Sequence, residues 1–340
     1  MEWFGLRTKI CFGEGSLATL RQVEGKRFFL VTDPYFVKNG LAEKVADLCP
    51  GETEIFSRVV PDPPLSLVAE GLAQMQAFGG DTLIALGGGS AIDCAKGMVS
   101  VGEARPKWIA IPTTSGTGSE VTAFSILTHE GMKYPLVEEA LRPDLAILDE
   151  TLLKDLPPSL IADSGMDVIS HCVEAIGGKN SSPFTRALAR AAYETVMHML
   201  PASYEGDKSV RGEIHCAATM AGIAFDRSGL GICHGLSHAL GGRFHIPHGK
   251  LNAILLPKVM QFNKGYAPYD LLGSNPIFAI TRLSRKLNLP QSLSEAGISR
   301  QELLSHMDAL CEGALKDPCT ATNPRPLTIE DCKGILKECL

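Results

Sequence analysis

"DTLIALGGGSAIDCAKGMVS", residues 81–100, decides the fold. Its first six residues are a short, mostly aliphatic run, the pattern of a strand buried on both faces. Three glycines follow. Apolar residues at three- and four-residue spacing then predict a helix that opens on the glycine turn. Such a helix aims unpaired backbone N–H groups and the positive end of its dipole at one place, which suits a pyrophosphate. The triplet alone fits a plain tight turn equally well. It is not the standard dinucleotide fingerprint, because it lies in a later strand–helix unit and no acidic residue follows about twenty positions on.

The neighbouring segments repeat this rhythm. "RFFLVTD" (27–33) reads as a buried strand ending in Asp33. "LSLVAEGLAQMQAFGG" (65–80) reads as a helix with a glycine stop. "KWIAIPTTSGTGSE" (107–120) is again a strand, running into a loop rich in hydroxyl side chains. "LRPDLAILDETLLKDLPPSL" (141–160) adds a short strand and then Pro157-Pro158, a domain boundary. The alternation predicts an α/β domain with a mostly parallel sheet over residues 1–157. Loops 87–93 and 112–120, at the carboxyl ends of neighbouring strands, would face one crevice, where open α/β sheets bind ligands. Asp33 also ends a strand. A carboxylate there accepts from a ribose hydroxyl and repels a 2′-phosphate, which favours NAD over NADP.

Beyond Pro158 the period changes. "DSGMDVISHCVEAIGG", "PFTRALARAAYETVMHMLPASY" and "SVRGEIHCAATMAGIAF" carry helical spacing, and an all-α domain is expected over 158–340. A chain of 340 residues fits two such domains. Its net charge of −6 argues against a nucleic-acid partner, which needs a basic face. No run of 18 apolar residues is present, so no membrane span is expected. The opening "MEWFGLRTKICFGEG" lacks the pattern of a signal peptide. The ten cysteines form no C-x-x-C pair and read as reduced thiols, consistent with a cytoplasmic protein.

"GICHGLSHALGGRFHIPHGK" (231–250) holds four of the nine histidines. His234 and His238 are i and i+4 on a helix and share a face. Asp167 and His171 in "GMDVISH" have the same spacing on another helix. His248 follows a proline at a loop or helix start. A lone pair of this kind is more often a surface hydrogen bond. Together, one carboxylate and up to three imidazoles can converge on a divalent first-row ion such as iron or zinc.

These segments carry a family resemblance. "FGEGSL", "GGGSAIDCAKG", "IPTTSGTGSEVT", "KYPL", "RPDLAILD", "GMDVISHCVEA", "HGLSHALGGRFHIPHGKLNAILLP" and "TNPRP" resemble the iron-containing (group III) alcohol dehydrogenases nearly end to end. The nearest types are 1-propanol dehydrogenases and the alcohol dehydrogenase half of bifunctional aldehyde–alcohol enzymes. The resemblance implies a dehydroquinate synthase-like fold: a nucleotide-binding domain, then a helical metal-binding domain. It implies Asp167, His171, His234 and His248 as ligands of Fe2+, with Zn2+ a substitute. It places His238 and Asp93 near the substrate and nicotinamide. Gly88, Gly89 and Ser90 match the pyrophosphate loop, Thr113, Thr114 and Thr117 the second cofactor loop, Lys133 a cofactor-contacting lysine, and Asp33 the ribose-facing acid of NAD-using members. His245 would then support the centre.

The implied reaction is NADH-dependent, reversible reduction of a short-chain aldehyde of the propanal or acetaldehyde class to a primary alcohol. The implied assembly is a homodimer or larger, with association to a bacterial microcompartment. Two departures stand out. The chain is some tens of residues shorter than usual, in the helical part. Arg227 and Arg243 add positive charge near the inferred pocket, so they are candidate substrate contacts for a small anionic aldehyde such as sulfoacetaldehyde, reduced to isethionate. A zinc polyol dehydrogenase of glycerol type is a further alternative, and a non-catalytic scaffold a reading from another class.

Overall fold

The computed structural model describes residues 3–129 and 132–340. The chain divides into two compact units, Met1–Asp155 and Leu156–Leu340. Among the described residues all eight strands lie in the first: β1 (Lys9–Phe12), β2 (Arg27–Val31), β3 (Glu52–Phe56), β4 (Thr82–Gly87), β5 (Lys107–Pro112), β6 (Phe124–His129), β7 (Met132–Val137) and β8 (Leu145–Leu148). Six form one sheet in the order β1-β8-β5-β4-β2-β3, and every pairing in it is parallel. β6 and β7 form a separate antiparallel pair.

Both faces of the large sheet are covered, which is why its strands read as continuous apolar runs. Phe29, Val31, Leu83, Ala85, Trp108 and Ala110 face one core with Val68 and Met75 of α3 (Leu65–Phe78) and Ile92, Ala95 and Met98 of α4 (Gly89–Val101). Phe28, Leu30, Ile84, Leu86, Ile109 and Ile111 face the other. There they meet Leu17, Leu20 and, from α2 (Leu41–Leu48), Ala42 and Val45. The short α1 (Pro34–Lys38) starts directly after β2, capped by Asp33, whose Oδ1 accepts the amides of Tyr35 and Phe36.

The register of β4 on β5 ends at Gly87 opposite Pro112, so the two glycine loops leave the sheet side by side. Gly87 sits at φ 153°, and a Cβ there would come within 2.7 Å of the Ala91 methyl. The hairpin β6/β7 was not expected, because Pro135 interrupts the strand pattern of β7.

The second unit is helical: α5 (Pro158–Gly177), α6 (Pro183–Tyr204), α7 (Arg211–Ser228), α8 (Ile232–Phe244), α9 (His248–Phe262), α10 (Pro276–Lys286), α11 (Arg300–Lys316) and α12 (Ile329–Glu338). Prolines at the first turns of α5, α6 and α10 set each start, because the missing amide is one that the helix leaves unpaired anyway. All ten cysteines are free thiols. No helix of the described residues is long and apolar enough to cross a membrane.

A candidate metal centre and a candidate dinucleotide site

Asp167, His171 and Glu174 follow one another along a single face of α5, at spacings of four and three. All three are buried. Facing them is the first turn of α8, with His234. Glu174 joins the helices: its Oε1 accepts the Cys233 amide at 2.8 Å and its Oε2 meets His234 Nδ1 at 2.6 Å. A carboxylate suits an N-terminal turn, where amides lack partners inside the helix. Because a carboxylate can only accept, Nδ1 of His234 carries a proton, and in the neutral ring Nε2 keeps its lone pair for a metal ion.

That Nε2 is buried and has no hydrogen-bond partner. It lies 3.6 Å from Asp167 Oδ1, and His171 Nε2 lies 3.8 Å from the same oxygen. These gaps are too long for hydrogen bonds. Two donors on a tetrahedral ion with bonds of about 2.1 Å sit roughly 3.4 Å apart, so the spacing fits a shared cation. Asp167, His171 and His234 bring one donor atom each within 4.8 Å of one another. The His248 ring, at the first residue of α9, stands 5.8 Å from that of His234 and 4.8 Å from that of His238.

The electrostatics agree. Burial alone would raise the Asp167 carboxyl, but His171, His234 and His248 outweigh it and hold it well below the usual carboxylate range. Burial disfavours the charged form of His234, yet Asp167 and Glu174 on either side lift it to about 9. The surroundings therefore stabilise a positive charge in the middle, whether proton or metal ion. Asn252 of α9 fixes the carboxylate further, donating to Asp167 Oδ1 at 2.8 Å and to Ser170 Oγ at 2.9 Å.

His238, one turn after His234, is held differently. Its Nδ1 meets Asp317 Oδ2 at 2.7 Å, while Asp317 Oδ1 caps the next turn through the Cys319 amide at 2.8 Å. The pairing fixes the orientation of the His238 ring through Nδ1. Asp317 is lowered despite burial, chiefly by its bond to His238.

In the first unit the loops touch. The Thr113 amide donates to Gly87 O at 3.0 Å. A methyl on Gly88 would approach Thr114 Oγ1 at 3.3 Å, and one on Gly89 would approach Thr117 Cγ2 at 3.0 Å. Gly88 caps α4, and Ser90 stands in its first turn. Asp33 Oδ2 lies 3.9 Å from where a Gly87 Cβ would sit, beside the same loop. Lys133 Nζ pairs with Asp62 at 2.8 Å. Burial pushes Asp93 up to about 6, against the pull of Lys96, the Ile126 amide, Ser119 and Lys133.

Other expected residues make contacts of their own. Arg243 is exposed on the last turn of α8, with Nη2 2.9 Å from His306 Nε2. Arg227 Nε lies 3.7 Å from Asp226 Oδ2. His245 does not support the centre. It is exposed, and at φ 56° it ends α8 in the left-handed conformation. Glu174, Asn252 and Asp317 were not expected. Glu174 could have been found, seven residues after Asp167 on the same helix face.

The model of the iron-containing alcohol dehydrogenases matches residues 7–150, and the C-terminal model of the Fe-containing alcohol dehydrogenase family matches residues 161–340. The chain belongs to the iron-containing alcohol dehydrogenase family. It is 38% identical over 370 residues to the 1-propanol dehydrogenase PduQ of Citrobacter freundii, with all of both chains covered. It is also 38% identical over 378 residues to the NADPH-dependent butanol dehydrogenase of Clostridium saccharobutylicum, covering 99% of this chain and 97% of that one. The sulfoacetaldehyde reductase of Bifidobacterium kashiwanohense, solved in complex with NAD+, superposes with a TM-score of 0.90 at 25% identity over 100% and 99% of the two chains. Like the rest of its family, this chain is an oxidoreductase of the alcohol dehydrogenase kind, and membership implies iron and a nicotinamide cofactor.

Proposed function

We propose that this dehydrogenase catalyses the reversible reaction of a short-chain neutral aldehyde, NADH and a proton to give a primary alcohol and NAD+, with Fe2+ held by Asp167, His171, His234 and His248. The observation that carries the reading is the buried, unpartnered Nε2 of His234 facing Asp167 and His171. Iron bound there supplies Lewis acidity to a carbonyl oxygen.

The protein's own residues do the rest. Backbone amides at the start of α4 and the hydroxyls of Thr113, Thr114 and Thr117 take the pyrophosphate. Asp33 accepts from the ribose, and Lys133 and Asp93 complete the cofactor contacts. Asp317 orients His238 through Nδ1, and in the imidazolium form the Nε2 proton of His238 would pass to the substrate oxygen, leaving the neutral ring to be reprotonated from water. Glu174 and Asn252 hold their donors in orientation, as partners of metal ligands do.

The test is NADH oxidation by iron-loaded enzyme, prepared anaerobically, on a panel of two- to four-carbon aldehydes with sulfoacetaldehyde included. Turnover led by propanal or butanal supports the reading. A preference for the sulfonate above about tenfold in kcat/KM, roughly 1.4 kcal/mol, replaces it with the anionic-aldehyde reading. A neutral substrate is favoured because the Arg243 guanidinium is exposed beside His306, where it needs no anionic ligand.

A further inference from the structure

Lys96 of α4 has no exposed surface at all, at 0%. Lysine is almost never fully buried unless it is paired, and its flexible stem ordinarily carries the ammonium out to water. Here Nζ donates to Ser119 Oγ at 2.8 Å, Thr122 Oγ1 at 3.0 Å and Phe124 O at 2.6 Å. These acceptors are neutral, and all lie on one stretch of chain. The stretch runs from the end of the second glycine loop through the 3-10 turn Ser119–Val121 to the first residue of β6.

The Ser119 hydroxyl accepts from Lys96 and donates its own hydrogen to Asp93 Oδ1 at 3.2 Å. Ser125 Oγ donates to the Asp93 backbone oxygen, also at 3.2 Å. An ammonium and a carboxylate one turn apart on α4 are thus joined through a hydroxyl that belongs to another segment. The order of donors is fixed, because Lys96 has no acceptor to offer and the Asp93 carboxylate has no hydrogen.

We propose that Lys96 is a positioning residue of the cofactor site: its buried ammonium fastens the 113–124 segment to α4 and, through the Ser119 hydroxyl, fixes the Asp93 carboxylate. This rests on the reading that Asp93, Thr114 and their neighbours contact the nicotinamide cofactor. The fastened segment carries Thr117, whose Cγ2 leaves only 3.0 Å for a methyl on Gly89 at the start of α4. Without Lys96 the segment loses three bonds to α4 and Asp93 loses a nearby positive charge.

The groups that face Asp93 are Lys96 and the Cys94 thiol on α4, Ser119 on the loop, the Ile126 amide on β6 and Lys133 on β7. Burial raises the Asp93 carboxyl and both lysines lower it. Removing Lys96 therefore moves its titration upward.

The test uses the full-length protein with Lys96→Met, Lys96→Arg and Ser119→Ala, and Asp93→Asn and Thr114→Val as probes of the cofactor site. Two quantities are measured: the titration midpoint of the Asp93 carboxyl by carbon NMR, its signal assigned by loss in Asp93→Asn, and the NADH Kd by fluorescence. Lys96→Met should raise the midpoint and weaken NADH binding about tenfold, about 1.4 kcal/mol. Ser119→Ala should move both in the same direction by less, and Lys96→Arg should recover part of both. If Lys96→Met fails to fold, Ser119→Ala carries the test alone, since it leaves Lys96 two of its acceptors. An unchanged midpoint in the folded variants overturns the proposal. Unchanged NADH binding in them, while Asp93→Asn and Thr114→Val weaken it, overturns the Lys96 assignment alone. If those two probes are silent as well, the cofactor reading falls and takes the proposal with it.

Discussion

Glu174 Oε2 lies 2.6 Å from His234 Nδ1, so a carboxylate on α5 fixes the ring of a histidine on α8. Glu174→Gln removes the charge and keeps the shape. The substitution should lower iron affinity about 10- to 100-fold, the usual cost of losing a partner that orients a metal ligand. Iron retained after dialysis against a graded chelator series measures this. Retention equal to wild type would take Glu174 out of the centre.

The four proposed ligands make a sharper case. Asp167→Ala, His171→Ala, His234→Ala and His248→Ala should each lower bound iron and kcat severely. NADH affinity should stay within roughly twofold, because the cofactor loops are built from residues of the other unit. Full activity with normal iron content in His234→Ala would reject the assignment.

Cofactor choice is tested best by a substitution that spares the helix. Asp33 caps α1 with Oδ1, so removing its side chain confounds charge with capping. Asp33→Ser keeps a capping oxygen and removes the charge. The ratio of kcat/KM for NADH over NADPH should fall about tenfold or more through lost repulsion of the 2′-phosphate. An unchanged ratio means that Asp33 does not face the ribose.

Gly249 adjoins His248 and packs against α5. A methyl on it would collide with the Asp163 carbonyl oxygen, which is backbone and cannot swing aside. Gly249→Ala should lower the melting temperature by several degrees, from overpacking of about 1–3 kcal/mol, and reduce iron retention as α9 shifts. Normal stability and normal iron together would contradict this close approach.

The pH dependence of stability has a definite sign at Asp93. Its carboxyl is raised to about 6 from an ordinary 3.8. Folding therefore favours the protonated form, a contribution fully present below about 4 and lost as pH rises through about 6. Asp93→Asn, a neutral isostere, should raise the melting temperature more at pH 8 than at pH 5. Equal shifts at both values would mean that Asp93 does not titrate in this range.

The sheet and the paired helix-face residues were legible because both depend on short periods. Residues 28–31 and 83–86 are apolar throughout since both faces of the sheet are covered, and Asp167/His171 and His234/His238 show the four-residue step of one helix face. β3 escaped notice because "ETEIF" is charged where it borders solvent at the sheet edge. Asn252 and Asp317 escaped for another reason. Each meets its partner across about eighty residues of sequence, at Asp167 and His238, and no local pattern encodes such a meeting. No sequence pattern singles out Lys96, because its burial depends on a loop that folds over it.

The sheet order has a consequence for the growing chain. Among the described residues β1 pairs only with β8, and Lys9 stands opposite Leu145, 136 residues later. At ribosomal rates of about 5–20 residues per second, the first strand waits roughly 7–27 s for its neighbour to be made. Phe12 on that strand and Trp3 and Leu6 before it are exposed even in the finished fold. Until β8 arrives they belong to an unpaired apolar ribbon, an opening for chaperones or for the wrong strand. The core strands β2, β4 and β5 can assemble meanwhile, and both pairings of β8, with β5 and with β1, wait for its synthesis.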